Sequence, residues 1–231
     1  MKHTLIVVCA LGGSLGAAMA EAHENVTLTG TDWVQKAPSF EDMIAAYPAA
    51  ARAKGQGGAV MVDCAFTYEG RLSHCQTIEE KPIGGGFRKA ALALTGQFQG
   101  PTRLDDGSSI AGAHAQFHIV FAPEILSRQT VVTPEWSALP TAAQFTGAFP
   151  DAAAKAGVLK ARVAMACKVG PDGGLVGCAP VSEDPPGYGF GAATLPLAPL
   201  VRVKLWGSDG RPVVGGEVRV PIRYDLQQGK P

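Results

Sequence analysis

The sequence is poor in charged and aromatic side chains. Only 17% of its 231 residues are charged and 7% are aromatic, and its 20 Lys and Arg residues are balanced by 20 Asp and Glu residues. Nucleic-acid binding relies on an excess of basic residues, so this balance argues against a nucleic-acid partner. The low aromatic content argues against an extended surface for stacking sugars or bases.

The sequence also lacks the residue patterns that mark common enzymes and cofactor sites. The glycine-rich stretches GGG at 84–86 and GYG at 187–189 have neither the P-loop pattern nor the spacing of a dinucleotide-binding turn. His114 and His118 are four residues apart, which suits a metal site on a helix, but on a strand they would lie about 13 Å apart. We therefore predict a protein that is not an enzyme and that holds no metal or cofactor.

Long apolar runs are confined to the N-terminus. Lys2 is followed by an apolar stretch that ends in Ala-Met-Ala at 18–20, a pattern typical of signal-peptide cleavage. We predict that residues 1–20 are a signal peptide and that the exported protein starts near Glu21 or His23. The alternative is an uncleaved membrane anchor, which the glycines in this short run disfavour.

The chain contains an internal repeat. Cys64 and Cys75 are eleven positions apart, as are Cys167 and Cys178, and the second pair follows the first by 103 positions. The same offset relates further residues over about ninety positions, which predicts a duplicated domain. The related pairs include Gly86 and Gly189, Phe87 and Phe190, Asp106 and Asp209, Phe117 and Val220, Ile119 and Ile222, and Phe121 and Tyr224.

Four cysteines remain once the predicted signal peptide is removed. An even number of cysteines in an exported protein favours disulfides. We predict the bonds Cys64–Cys75 and Cys167–Cys178, one within each repeat, because each pair spans one predicted hairpin. A redox-active dithiol is the alternative, but such pairs usually have the C-x-x-C spacing.

Each repeat has the pattern of an α-β-β-α-β unit. A short alanine-rich helix precedes a strand with alternating apolar residues, at 60–66 in the first repeat and at 163–169 in the second. A Gly-containing turn leads into a returning strand, where the three-residue step from Leu72 to Cys75 predicts a β-bulge. A glycine-rich loop, a second helix and an alternating last strand follow.

These patterns predict an α+β fold with two tandem units. In each unit we expect a three-stranded antiparallel or mixed sheet, with the first strand in the centre and the helices on one face. The predicted domains cover residues 33–122 and 140–226, with a linker at 123–139. Pro221 within the last strand lacks an amide proton, which suits an edge position. Two further prolines are expected to shorten the second helix of the second unit.

The order of these motifs resembles the C-terminal domain of TonB-family energy transducers. The resemblance is carried by Tyr-Pro or Phe-Pro before the first strand, by SEDPPGYGFGAATL at 182–195 and by DGRPVVGGEVRVPIRY at 209–224. The first unit matches with a looser loop, GSSIAGAHAQFHIVF at 107–121. The two units together cover about residues 33–226, and their paired cysteines resemble those of a disulfide-bearing branch of the family.

The resemblance implies a periplasmic protein that binds peptide segments of partner proteins, such as outer-membrane transporters. Binding would occur by adding the peptide as a strand to the edge of the last strand, and a part in energy-coupled transport is also implied. The chain departs from the family pattern in its predicted cleavable N-terminus and in having no long spacer before the first unit. The alternative function is a non-catalytic structural adaptor of the cell envelope that self-associates through its sheet edges.

The expected peptide-binding edge consists of alternate residues of the two last strands. We expect the first unit to offer the longer uninterrupted edge, because Pro221 removes one donor from the second. The basic side chains of the second unit are expected to favour acidic residues on the peptide. The edge residues are Gln116, His118, Val120, Arg219, Pro221 and Arg223.

Aromatic residues near the start of each unit have two interpretations. Trp33 and Trp136 are interpreted as packing anchors rather than as platforms for a ligand. Tyr47-Pro48 and Phe149-Pro150 are interpreted as packing staples for the first helix, with the border of the peptide-binding edge as the functional alternative.

Overall fold

The computed structural model describes residues 26–226, and the fold is α+β, as predicted. The predicted signal peptide lies outside the described residues. Within residues 26–226, no helix is long and apolar enough to cross a membrane.

The first half of the described chain begins with a short strand that the sequence patterns did not predict. The first helix then starts at a capping box, in which the Ser39 hydroxyl accepts from the Asp42 amide and the Asp42 carboxylate accepts from the Ser39 amide. A 3-10 turn at Pro123–Leu126 closes this half. The elements are β1 (Thr27–Thr29), α1 (Phe40–Ala46), α2 (Ala49–Ala53), β2 (Gly58–Phe66), β3 (Leu72–Lys81), α3 (Phe87–Thr95) and β4 (His114–Phe121).

The second half repeats the order of two short helices, two strands, a helix and a last strand. Its final helix, α6, has only five residues and continues as a 3-10 helix at Leu195–Leu200, as the prolines in this segment predict. The elements are β5 (Trp136–Ala138), α4 (Ala142–Gly147), α5 (Asp151–Lys155), β6 (Lys160–Val169), β7 (Leu175–Asp184), α6 (Phe190–Thr194), β8 (Arg202–Val203) and β9 (Glu217–Asp225).

The strands form two main sheets and one small one. The second half has the order β7-β6-β9, with both neighbours antiparallel to β6, so the first long strand is central as predicted. The first half has the same arrangement around β2, with β1 added in parallel to the outer side of β4. Strands β5 and β8 pair with each other in a separate two-stranded sheet.

Both predicted disulfides are present, and each lies at a β-bulge. Cys64 is bonded to Cys75 and Cys167 to Cys178. Opposite each buried cysteine the register of the hairpin shifts by one residue, which confirms the bulge predicted from the three-residue step.

One cluster of buried side chains runs through both halves of the described chain. Trp33 is 7% exposed and packs edge-on against Phe66 and Phe117, which confirms its role as a packing anchor. Tyr47 is also buried, and its hydroxyl donates to the carbonyls of Gln56 and Phe121. In the second half Phe149 packs against Phe190 and Tyr224, the counterparts of Phe87 and Phe121. Pro48 and Pro150 are the N-cap residues of α2 and α5.

Candidate functional site: the outer edges of the last strands

Strand β9 directs alternate backbone groups away from its sheet. The carbonyl of Gly216 accepts from Val169, and the amide of Leu226 donates to Leu159, so even-numbered residues of this strand face β6. Because backbone direction alternates along an antiparallel strand, Arg219, Pro221 and Arg223 direct their backbone groups to the outer edge. Their side chains are exposed, whereas the alternate Val218 and Val220 are buried.

Most of the outer edge of β9 has no backbone partner within the described chain. Glu217 at the start of the strand is covered, since its amide donates to Gln129 and its carbonyl accepts from Val131. Beyond it, the structure records no backbone hydrogen bond among residues 26–226 for the outward groups of Arg219, Pro221 and Arg223. Pro221 therefore lies where its missing N–H leaves no unpaired carbonyl on β6, which explains how a proline is tolerated in this strand.

The equivalent edge of β4 is already occupied by the chain itself. The amide of His114 donates to Val26 (2.7 Å), and β1 pairs with β4 as far as Gln116. Farther along, the carbonyl of His118 accepts from the Trp206 indole (3.2 Å), and the amide of Val120 donates to Gly210 (2.8 Å).

The expectation that the first unit offers the longer free edge is therefore wrong. The outward positions Gln116, His118 and Val120 lie where the sequence placed them, but own-chain segments cover their edge. Free backbone groups remain on β9 instead, at the strand that carries the proline. Local alternation predicts which groups point outward, but it contains no information about which distant segment covers them.

A loop of the second half makes the contact with β4. Trp206 is fully buried, and its ring lies 4.9 Å from that of Phe98 at an interplanar angle of 78°. The position 103 residues earlier is Arg103, so this tryptophan has no counterpart in the first repeat. That break in the repeat is the signal by which sequence reasoning could have found the contact.

Ion pairs hold the base of this loop. The Lys204 ammonium lies 2.7 Å from the Glu135 carboxylate and 2.5 Å from that of Asp32, and the amide of Ser208 donates to Glu135 (3.0 Å). The hydrogen bonds from Lys204 and Ser208 lower the pKa of Glu135 to about 2. Hydrogen bonds to Asp32 and Glu135 in turn raise the pKa of Lys204.

Asp63 and His114 form a second polar contact, at the start of β4. The Asp63 carboxylate lies 3.1 Å from Nδ1 of His114 and accepts from the side-chain amide of Gln76. Burial raises the pKa of Asp63, but hydrogen bonds from His114 and Gln76 outweigh it, so the net direction is down. The pair joins β2 to β4, and among the described residues no group of three His, Cys, Asp or Glu side chains is placed to hold a metal ion.

An apolar cavity of about 240 Å³ lies beside the free edge of β9. It is half open and is bounded by the sheet, the 3-10 helix Leu195–Leu200 and the segment that carries Trp136. Trp136 is half-buried and packs against the outside of the core, whereas Trp33 is buried within it. The lining residues are Trp136, Leu139, Pro140, Phe145, Met165, Cys167, Leu175, Thr194, Leu197, Ala198, Val201, Val220, Pro221, Ile222 and Arg223.

Comparison with known proteins relates the chain to a protein of unassigned function. No protein-family model matches the chain. A curated protein of Caulobacter vibrioides, named only as an uncharacterized protein, is 36% identical over 98 residues, which make up 39% of this chain and 98% of the relative. The relative is thus matched over almost its whole length by less than half of this chain. The chain belongs to the same family as this Caulobacter protein.

Proposed function

We propose that the protein binds extended peptide segments of partner proteins by strand addition at the outer edge of β9. The observation that carries the proposal is the run of outward backbone groups at Arg219, Pro221 and Arg223, which have no partner among the described residues. An edge of this kind can accept an added strand, because a peptide satisfies its unpaired donors and acceptors. The resemblance to TonB C-terminal domains supports the same edge.

Charge at this edge defines the class of peptide. The side chains of Arg219 and Arg223 are exposed on the solvent face of β9. An added strand would place alternate side chains on that face, where acidic residues would gain a favourable interaction that salt weakens. Peptides with alternating acidic residues are therefore the preferred ligands.

The compartment is proposed to be the periplasm. The two disulfides favour an oxidising compartment, and the sequence pattern of residues 1–20 favours export. Periplasm-facing segments of outer-membrane transporters are the first candidates as partners, and binding them would link the protein to energy-coupled transport.

The experiment is an NMR titration of the full exported chain with an acidic, periplasm-facing peptide of an outer-membrane transporter. The amide resonances of Arg219 and Arg223 should shift, while those of His118 and Val120 should not. Peptides with N-methyl groups at alternate residues provide the control. N-methylation of the alternate residues whose amides would donate to β9 should abolish binding. N-methylation of the other alternate residues, whose amides would point away from β9, should not.

Two outcomes would count against strand addition at this edge. One is a set of shifts confined to the helices or to β7. The other is equal binding of the two N-methylated peptides, because a ladder of backbone hydrogen bonds has a defined phase.

Self-association through the other sheet edge is a second candidate function. On the outer strand β7, Val176 and Val181 are 54% and 48% exposed, and Ile78 on the matching strand β3 is 52% exposed. Exposed apolar residues on an edge strand favour pairing with another chain. Sedimentation analysis of a Val181→Lys variant tests this, since the charge should shift any oligomer of the wild type towards the monomer.

A further inference from the structure

The contact between the loop at 204–212 and β4 resembles a small docking site, since one buried aromatic ring and two hydrogen bonds attach the loop to the strand edge. It uses one aromatic anchor, Trp206, which is buried against Phe98 and donates its indole N–H to the His118 carbonyl. Four residues later, the carbonyl of Gly210 accepts from the Val120 amide. A Cβ at Gly210 would lie only 2.9 Å from the His118 carbonyl and from Val120, so only glycine allows this close approach.

The second half presents the same acceptor and donor in the same order. The repeat offset of 103 relates His118 to Pro221 and Val120 to Arg223. Proline retains the carbonyl that the indole uses in the first half, and Arg223 retains the amide that the glycine carbonyl uses. Both groups are on the outer edge of β9, and neither has a backbone partner among residues 26–226.

The cavity is lined by Val201 and Pro221, the counterparts of the Phe98 and His118 that Trp206 contacts in the first half. Its walls include Val201 and Val220, the counterparts of Phe98 and Phe117, so two phenylalanines of the first half are replaced by smaller residues. Trp136, the counterpart of Trp33, lines the same cavity. The aromatic side chains that fill this region in the first half are thus partly absent from the second.

The size and polarity of the cavity point to a side chain as its occupant. Its volume of about 240 Å³ is below the roughly 300–1,000 Å³ of clefts that bind drug-sized molecules. The Thr194 hydroxyl in its wall is already paired with the Phe190 carbonyl (2.7 Å) and the Tyr224 hydroxyl (2.9 Å). An apolar ring therefore suits the cavity, with its polar edge directed to the Pro221 carbonyl.

We propose that this cavity and the β9 edge form a second copy of the docking site, which takes a tryptophan-anchored segment of a partner protein. The segment has the form Trp-x-x-x-Gly with an acidic residue between the two, as Asp209 lies between Trp206 and Gly210. Charge complementarity supports this choice, because the exposed Arg219 and Arg223 flank the site. Trp206 and Trp33 of another copy are buried in their own chain, which favours a different protein as the partner.

The inference rests on the proposed function, since both use the edge of β9, and it adds the chemical identity of the anchor. The probe is a synthetic peptide with blocked termini and the sequence of residues 205–210, LWGSDG, which keeps the acidic residue and omits the basic ones, added to the full ¹⁵N-labelled chain. We expect shifts of the Arg223 amide and of the Trp136 indole N–H. A probe that carries Trp206→Ala, and the protein variant Val201→Phe, should each weaken binding at least tenfold. Ile83→Phe, at a residue that is 88% exposed in the loop before α3, is the control and should leave the affinity unchanged.

The outcomes separate this inference from the proposed function. If the Trp206→Ala probe binds as well as the original and still shifts Arg219 and Arg223, strand addition stands and the tryptophan anchor is wrong. If the probe shifts His118 and Val120 instead, it displaces the chain's own loop, and the second docking site is wrong. Free indole that binds as tightly as the probe would also overturn a protein segment as the ligand. A failure of both this probe and the transporter peptide would overturn both proposals.

Discussion

One residue in each hairpin adopts a left-handed backbone conformation at the bulge. His74 has a φ of 49° and Gly177 a φ of 59°, and these two residues match at the repeat offset. A side chain at such a φ costs free energy whatever space surrounds it. The first hairpin therefore carries this cost at His74, whereas the second avoids it because glycine stands at the matching position.

Gly177→Ala should lower the free energy of unfolding by about 1 kcal/mol, from backbone strain alone. A Cβ at Gly177 meets no atom within 4 Å, so steric clash does not contribute. Conversely, His74→Gly should raise stability by about 0.5 kcal/mol, because relief of strain exceeds the added flexibility of the unfolded chain. Urea denaturation measures both changes.

Gly96→Ala is the matched control. Gly96 has a φ of −65° and also has open space around its Cβ position, so alanine should be neutral or slightly stabilising there. A loss at position 96 as large as that at position 177 would contradict the assignment of the effect to the left-handed conformation.

Among the elements, the segment between β8 and β9 connects the two halves. Glu135 precedes β5 and holds the base of this segment through Lys204 and Ser208. Glu135 adjoins β5 and Lys204 adjoins β8, so the ion pair and the pairing of these two strands restrain the same turn. The acid sensitivity of this segment follows from the same carboxylate.

The stabilising effect of Glu135 should be lost as the pH falls. Its pKa is about 2 in the folded protein, compared with 4.5 as the ordinary value. A depressed folded pKa contributes stability that is complete above about pH 4.5 and that declines as the pH falls towards 2. The stability difference between the wild type and Glu135→Gln should therefore shrink from pH 5 to pH 2 in urea titrations. The stability difference between the wild type and Lys204→Gln should shrink over the same pH range. A stability difference that does not change with pH would contradict this role of Glu135.

At the scale of the whole molecule, the two halves share one buried cluster and a common interface. Trp206 lies in this interface, and Phe40 of the first half is hydrogen-bonded through its amide to the Val214 carbonyl of the second. Gly216 also lies against Phe40, since a Cβ there would lie 2.4 Å from its ring. These contacts fix the second half against both α1 and the outer edge of β4.

Trp206→Ala should destabilise the protein by about 3–5 kcal/mol, as expected for the loss of a fully buried aromatic side chain. Since the residue joins the two halves, the single unfolding transition expected for a continuous core should separate into two. Differential scanning calorimetry and urea denaturation measure this. Trp136→Ala is the control, because this residue is only half-buried and should cost less without splitting the transition.

Local patterns were enough to predict the elements and the covalent bonds. Alternation of apolar residues placed β2, β4, β6 and β9, and the three-residue step before Cys75 placed the bulge. These predictions succeed because strand alternation and hairpin register depend on residues that are close in sequence. The disulfides follow for the same reason, since each one lies within a single hairpin.

Only the tertiary structure decided which strand edge is available to a partner. Sequence alone predicts that Val120 and Arg223 both direct an amide outward. Whether that amide is free depends on Gly210 and Trp206, which lie about ninety residues from β4 in the chain. Such long-range contacts arise from packing and have no periodic signal. The cavity beside β9 likewise depends on packing, because its walls come from segments that are distant in the chain.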